Sequence, residues 1–183
     1  PKFSKAFVIG EAGMSPWNDL VERPIPLWKD YGIKDYVSIE KREGLEADTF
    51  YCQLPYNCHA TPYLDVVAAP GKVIKMQTDN YMGGGEPNVR AEYVTKEGRQ
   101  TYESLGWMNG HTFIYQVPKG IKVNALKYRE TGYDTEFTGT FVCNDDFLNR
   151  LREKAVRTLY VTMRDTYMDC PDRERSQWWG DEV

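Results

Sequence analysis

The spacing of the hydrophobic residues changes near Cys143, and this change constrains the fold more than any other feature of the chain. Before Cys143, short runs of alternating residues end at Gly- and Pro-containing turns, as in antiparallel strands. After it, apolar residues recur every three or four positions, as on one face of a helix. We therefore predict a mainly β fold: an antiparallel β-sandwich or jelly-roll-like domain over residues 45–143, followed by a separate, partly helical unit over 144–183.

Within the β-rich part, the apolar run 63–68 and the run 73–78 flank a Pro-Gly turn and predict two neighbouring strands. Asn109-Gly110 is the pair of residues most typical of a two-residue hairpin turn. The segment 136–142, with Phe137 and Phe141 on one face, predicts a last strand. Residues 1–44 contain scattered prolines and show no sustained period, which predicts an irregular linker.

A helix is predicted from Asp145 to about Thr162, with Asn144 or Asp145 as its N-cap. Its apolar stripe consists of Phe147, Leu148, Leu151, Ala155, Thr158, Leu159 and Thr162. A single helix cannot bury such a stripe by itself. Because the chain begins at Pro1 rather than at a methionine, we expect it to be part of a longer polypeptide, whose remainder covers the stripe.

Charge and cysteine content exclude several classes of function. The net charge is −4, so neither nucleic acid nor an anionic membrane surface is an expected partner, and no apolar run has the length of a membrane span. The four cysteines lack the spacing of a zinc knuckle, and no metal or other cofactor is predicted. Cys170 lacks a nearby histidine base and is expected to be a packing residue rather than a nucleophile. The cellular compartment cannot be derived from the sequence.

The stretch from Asp169 to Asp181 places four acids, two arginines and two adjacent tryptophans within thirteen residues. Such a concentration of charge beside indole rings is costly in a protein core. It is typical of a sugar-binding site: carboxylates and arginine bind hydroxyls, indoles stack on pyranose rings, and a protonated carboxyl group can cleave a glycosidic bond. We therefore interpret this stretch as a carbohydrate site. The alternative is a charged loop in which the tryptophans only pack.

This stretch resembles the site loop of the bacterial α-L-rhamnosidases of the six-hairpin glycosidase group, which reads Asp-Cys-Pro-x-Arg-(Asp/Glu)-Arg and continues to an aromatic residue and Gly-Asp. The chain has the shorter form, with Arg173-Glu174-Arg175. The segments 158–168, Arg129–Tyr133, Ser15–Trp17 and Glu22–Pro26 are also similar to parts of these enzymes. The resemblance implies that residues 144–183 contain the first helix and site loop of an (α/α)6 barrel.

The resemblance also implies a function: release of terminal L-rhamnose from a rhamnose-containing glycan or glycoside by an inverting general acid/base mechanism, with the base outside this chain. Glu174 is the expected general acid, and the flanking arginines would lower its pKa unless the fold engages them elsewhere. Asp169, Arg173 and Asp181 are expected to bind sugar hydroxyls, and Trp179, rather than Trp178, to line the sugar face. The alternatives are a non-catalytic carbohydrate-binding or scaffold β-sandwich, and a six-hairpin glycosidase for another sugar.

Overall fold

The computed structural model describes residues 4–80 and 91–178. Within these ranges the chain contains eight β-strands and, near its C-terminal end, one α-helix. The elements are β1 Lys29–Asp35, β2 Ser38–Arg42, β3 Ala47–Ala68, β4 Val73–Thr78, β5 Ala91–Val94, β6 Gly98–Glu103, β7 Met108–Pro118, β8 Lys122–Gly132 and α1 Asp146–Val161. α1 has neither the length nor the apolarity needed to span a membrane.

The strands form one curled sheet in which every neighbouring pair is antiparallel. The strand order is β1-β8-β3-β7-β4-β5, and β2 and β6 also pair with β3. The predicted mainly β, antiparallel fold is therefore confirmed. The curl lets one face of the sheet enclose the hydrophobic core, so the two layers expected of a sandwich are parts of a single sheet.

Strand β3 runs through the whole sheet, and this makes the curl possible. Its first half pairs with β2 and β7, and its second half with β6 and β8. The pairing with β7 shifts register between Gln53 and Cys58, where β3 contains extra residues, Pro55 among them. Proline cannot donate a ladder hydrogen bond, so it is tolerated at such a bulge, and the bulge bends the strand. At the bend, the Asn57 side chain accepts a hydrogen bond from the Gly110 N–H (3.1 Å).

The core is built from alternate residues of the central strands. Fully buried side chains from β3, β4 and β7 pack together: Leu64, Val66, Ile74, Met76, Phe113 and Tyr115. The buried hydroxyls of Tyr36 and Tyr115 lie 2.7 Å apart, and both donate to the Lys127 carbonyl. Cys52 and Cys58 are free buried thiols, and burial raises the pKa of each to about 12, so both are unreactive packing residues.

Three predictions about local structure are wrong. Asn109-Gly110 is not a turn but lies buried inside β7. The glycine is needed because a Cβ atom there would stand 2.8 Å from the Asp79 carboxylate and 2.9 Å from the Thr78 Cβ. Residues 136–142 form no strand; instead the Phe137 ring packs edge-on against Tyr160. The segment 1–44 was predicted to be irregular, but its C-terminal part forms β1 and β2 of the sheet.

The predicted helix is confirmed as α1, and Asp145 is its N-cap, accepting from the N–H of Phe147 at 2.8 Å. Polar and aromatic side chains attach α1 to the sheet. The Tyr160 hydroxyl lies 2.7 Å from the Tyr31 hydroxyl, and the Arg157 guanidinium stacks on Tyr56 and donates to the Asn57 carbonyl. The apolar stripe lies on the other face. Four of its side chains remain 41–63% exposed: Phe147, Leu148, Leu151 and Leu159.

Candidate active site

The site begins where α1 ends, in a loop that closes on itself. The Asp169 N–H donates to the Ser176 carbonyl (2.9 Å), and the Ser176 N–H donates to the Asp169 carboxylate (3.1 Å). Before the loop, the Met168 N–H donates to the Thr162 carbonyl at 2.7 Å, which ties the loop to the C-terminal end of the helix. Residues 169–176, here called the motif loop, therefore have a fixed base from which the side chains between Asp169 and Ser176 project.

Arg175 attaches the motif loop to the sheet. Its backbone φ is +54°, the left-handed region that non-glycine residues rarely adopt. Its guanidinium lies 3.7 Å above the Trp107 ring and donates to the carbonyls of Pro171 (2.9 Å) and Trp107 (3.3 Å). The fold thus engages one of the two arginines that flank Glu174.

The other flanking arginine pairs with Glu174 directly. The Arg173 guanidinium lies 2.7 Å from the Glu174 carboxyl, and the two side chains are 63% and 37% exposed. An ion pair this exposed contributes only about 0–1 kcal/mol. Both groups can therefore exchange this contact for a ligand at little cost.

The third candidate, Asp169, has hydrogen bonds that favour its charged form. Burial opposes ionisation, but hydrogen bonds from Cys170, the Ser176 N–H and Glu174 hold the pKa of its carboxyl below the usual range. The motif loop therefore presents Asp169 in its charged form.

Behind the motif loop lies a cluster of aromatic rings and arginines. The Trp107 ring contacts Arg175, the Arg164 guanidinium (4.6 Å) and the His59 ring (4.3 Å), and Arg164 also stacks on Trp28 (3.3 Å). Arg164 is 4% exposed, and burial lowers its pKa to about 10. It donates to the Thr131 hydroxyl, whereas its Nε and Nη1 have no hydrogen-bond partner in the described part of the chain.

His59 makes the stability of this cluster depend on pH. Burial, followed by the nearby Arg164 charge, lowers the pKa of His59 from 6.5 to about 3, and its Nε2 donates to the Val161 carbonyl. Because the unfolded chain takes up this proton below about pH 6.5 and the folded chain does not, stability falls as the pH drops toward 3.

His59→Gln should remove this dependence of stability on pH. Below about pH 6, the unfolding free energy of the variant should rise relative to that of the wild type by about 1.4 kcal/mol for each unit by which the pH falls. Unfolding midpoints compared between pH 7 and 4 test this, and parallel curves would contradict it.

One cavity lies at the C-terminal end of α1, and another lies along that helix. The first, of about 280 Å³, is lined by Ile25, Tyr133, Met163, Arg164, Asp165, Thr166, Tyr167 and Gln177. The second, of about 600 Å³, lies between α1 and the segment 135–142. Asp169, Arg173 and Glu174 line neither of them. These three side chains instead lie on the motif loop, and Gln177 of the first cavity follows that loop directly in the chain.

Asp169, Arg173 and Glu174 all lie on the motif loop, and their assignment as site residues stays a prediction. Trp178 is 51% exposed. Trp179 and Asp181 lie outside the described residues. Trp107, Arg164 and His59 were not found from the sequence, because they meet only through contacts between residues far apart in the chain. Within the described ranges, no group of three or more His, Cys, Asp or Glu side chains could hold a metal ion.

Comparisons of the sequence and of the structure with known proteins point to the same group of enzymes. Residues 136–183 match the family model of the bacterial alpha-L-rhamnosidase 6 hairpin glycosidase domain. An alpha-L-rhamnosidase of Formosa agariphila is 29% identical over 106 residues, which are 54% of this chain and 11% of that protein. The chain therefore spans about a tenth of the length of this curated relative.

Solved structures agree with the sequence matches. A GH78 family rhamnosidase of Bacillus sp. GL1 has a TM-score of 0.64 and 24% identity, covering 79% of this chain and 16% of that one. A rhamnosidase from Klebsiella oxytoca, solved with rhamnose bound, has a TM-score of 0.67 and 11% identity, covering 85% of this chain and 39% of that one. The predicted resemblance is confirmed: this chain is similar to the bacterial α-L-rhamnosidases, in sequence at its C-terminal end and in fold over most of its length.

Proposed function

We propose that this chain is part of a glycoside hydrolase that releases terminal L-rhamnose from α-linked glycans or glycosides. The observation that carries the proposal is the closed motif loop, which presents Asp169, Arg173 and Glu174 together at the surface on a base anchored to the sheet. A carboxyl group that carries a proton can act as the general acid, and a carboxylate and a guanidinium can bind the sugar hydroxyls. Similarity to α-L-rhamnosidases supports rhamnose as the sugar.

In this mechanism Glu174 is the general acid. It gives a proton to the glycosidic oxygen as the bond to the anomeric carbon breaks, so the departing group leaves as an alcohol. Arg173 gives up its exposed ion pair with Glu174 and donates to sugar hydroxyls, while Asp169 accepts hydrogen bonds from others. We assign Trp179 and Asp181 to the same sugar site.

The second carboxylate of the mechanism is proposed to lie outside this chain. In an inverting enzyme it stands roughly 6.5–9.5 Å from the acid and activates a water molecule on the opposite face of the sugar. We propose that residues 144–183 begin the (α/α)6 barrel that holds this base. The 41–63% exposure of the stripe on α1 supports this, because further barrel helices would cover it. The β-domain ahead of it runs to about residue 143.

The proposal predicts the products of the complete natural protein. Incubated with an aryl α-L-rhamnoside, it should release L-rhamnose whose first-formed anomer is β, because inversion changes the configuration once. Proton NMR during the first minutes of reaction distinguishes the anomers before they equilibrate. Aryl glycosides of other sugars serve as comparison substrates, and faster cleavage of one of them would reassign the substrate. An α anomer formed first would overturn the inverting mechanism, and binding of rhamnose without turnover would favour the non-catalytic carbohydrate-binding function.

A further inference from the structure

We propose that Trp107 is a positioning residue for the general acid: it holds Arg175, and through Arg175 it fixes the motif loop that carries Glu174. This inference rests on the proposed function of Glu174. Trp107 lies just before β7, 67 positions ahead of Glu174 in the sequence, and outside the motif. Its role follows from three contacts that converge on one ring.

The first step is the contact between Trp107 and Arg175. The guanidinium lies 3.7 Å above the indole ring, and its Nη2 donates to the Trp107 carbonyl at 3.3 Å. Ring and backbone of Trp107 thus bind the same cation, and tryptophan offers the strongest aromatic face for such a contact. The Nε of Arg175 meanwhile donates across the motif loop to the Pro171 carbonyl (2.9 Å). One side chain therefore both braces the loop and attaches it to the sheet.

The second step is the backbone at Arg175. A φ of +54° is unfavourable for a residue with a Cβ atom and persists only where its surroundings hold it. Glu174 precedes Arg175 directly, so the direction of the Glu174 side chain depends on this conformation. If the Arg175 guanidinium loses its contact with the Trp107 ring, fewer interactions hold the Arg175 backbone at this φ. The direction of the Glu174 side chain is then no longer fixed.

The third step is the support behind Trp107. Its ring also contacts the His59 ring of β3 (centroids 4.3 Å apart) and the Arg164 guanidinium (4.6 Å), and Arg164 stacks on Trp28. His59 in turn donates to the Val161 carbonyl at the last turn of α1. Trp107 is therefore held by the sheet, by the end of the helix and by the segment before β1. A ring supported on these sides is a rigid seat for the motif loop.

The test is a set of variants of the complete protein, assayed on α-L-rhamnosides with good and poor leaving groups. Trp107→Leu should lower kcat by about 10²-fold on a poor leaving group, since misplacement of a reacting group by about 1 Å costs this much. The loss should shrink on a good leaving group that needs little protonation, whereas KM changes little. Trp107→Phe keeps an aromatic face and should retain most of the activity. Trp17→Leu, at a tryptophan that is 53% exposed and lies outside the motif loop, is the matched control and should behave as wild type.

The deciding measurement repeats Trp107→Leu in a Glu174→Gln background. A residue that acts through Glu174 has no general acid left to position in that background. Adding Trp107→Leu to Glu174→Gln should therefore lower kcat by less than about threefold. An equal loss in both backgrounds, or a change in KM alone, would overturn the inference and leave Trp107 a structural residue. If Trp107→Leu fails to fold by circular dichroism, Arg175→Lys carries the same comparison. Lysine keeps the charge but loses the planar stacking, and it has one nitrogen where arginine donates through two, Nε and Nη2. Normal turnover of Glu174→Gln itself would overturn the assignment of Glu174 as the general acid, and this inference with it, whereas absence of rhamnoside cleavage by the wild-type protein would overturn the proposed function.

Discussion

Glu174→Gln in the complete protein is expected to reduce turnover of an unactivated α-L-rhamnoside by about 10²–10⁴-fold, the usual contribution of a general acid. Glutamine keeps the length and hydrogen-bonding span of the side chain but has no proton to transfer. It can still accept from Arg173, which lies 2.7 Å from the Glu174 carboxyl, so the motif loop keeps its shape. Binding of rhamnose should therefore survive, and isothermal calorimetry on the variant measures it.

The leaving group separates an acid from a binding residue. When the leaving group of an aryl rhamnoside is a strongly acidic phenol, it departs without protonation. The Glu174→Gln variant should therefore cleave that substrate at a rate much nearer to wild type. Glu153→Gln, in α1 and outside the motif loop, is a matched control for the substitution itself and should leave both substrates unaffected. Near-normal turnover of the unactivated rhamnoside by Glu174→Gln would show that the acid is another residue.

Local sequence signals predicted the elements whose causes are local. The N-cap carboxylate of Asp145 and the spacing of the apolar residues after it define α1, and the structure begins and ends this helix within one residue of the prediction. The turn at Pro70-Gly71 likewise separates β3 from β4 as predicted. In such cases the residues that determine the conformation are neighbours in the chain.

Predictions failed where a contact from elsewhere decides the conformation. Asn109-Gly110 has the composition of a hairpin turn, but Thr78 and Asp79 approach so closely that only glycine fits, and the pair continues a buried strand. Residues 136–142 alternate like a strand, yet they pair with no neighbour in the sheet, and Phe137 packs on Tyr160 instead. Hydrophobic alternation shows which residues could face a core but does not provide a partner strand.

The same distinction applies to the candidate site. The motif predicts Asp169, Arg173 and Glu174 as site residues because they are close in sequence, and all three lie on the motif loop. It gives no indication that Arg175 turns away from Glu174 and seats on Trp107, a contact between residues 68 positions apart. The positions of charged groups around a site thus depend on long-range packing even where their identities are local.

Asp169→Asn tests the other half of the site, and its expected effect is different in kind. Asparagine keeps an oxygen that can accept from the Ser176 N–H, as Asp169 does at 3.1 Å, so the base of the motif loop stays closed. The substitution removes the negative charge and replaces one acceptor oxygen with an N–H donor, which cannot accept a hydrogen bond from a sugar hydroxyl. A hydrogen bond to a charged group contributes about 1.5–3 kcal/mol, so kcat/KM should fall by roughly 10–10²-fold.

A residue that binds the sugar rather than the departing group should affect all substrates alike. The loss in kcat/KM for Asp169→Asn should therefore be the same for good and poor leaving groups, and rhamnose itself should bind more weakly in calorimetry. Asp134→Asn, in an exposed ion pair with Lys29 and outside the motif loop, is the matched control and should behave as wild type. If the loss grows with poorer leaving groups, Asp169 acts on proton transfer rather than on the sugar hydroxyls.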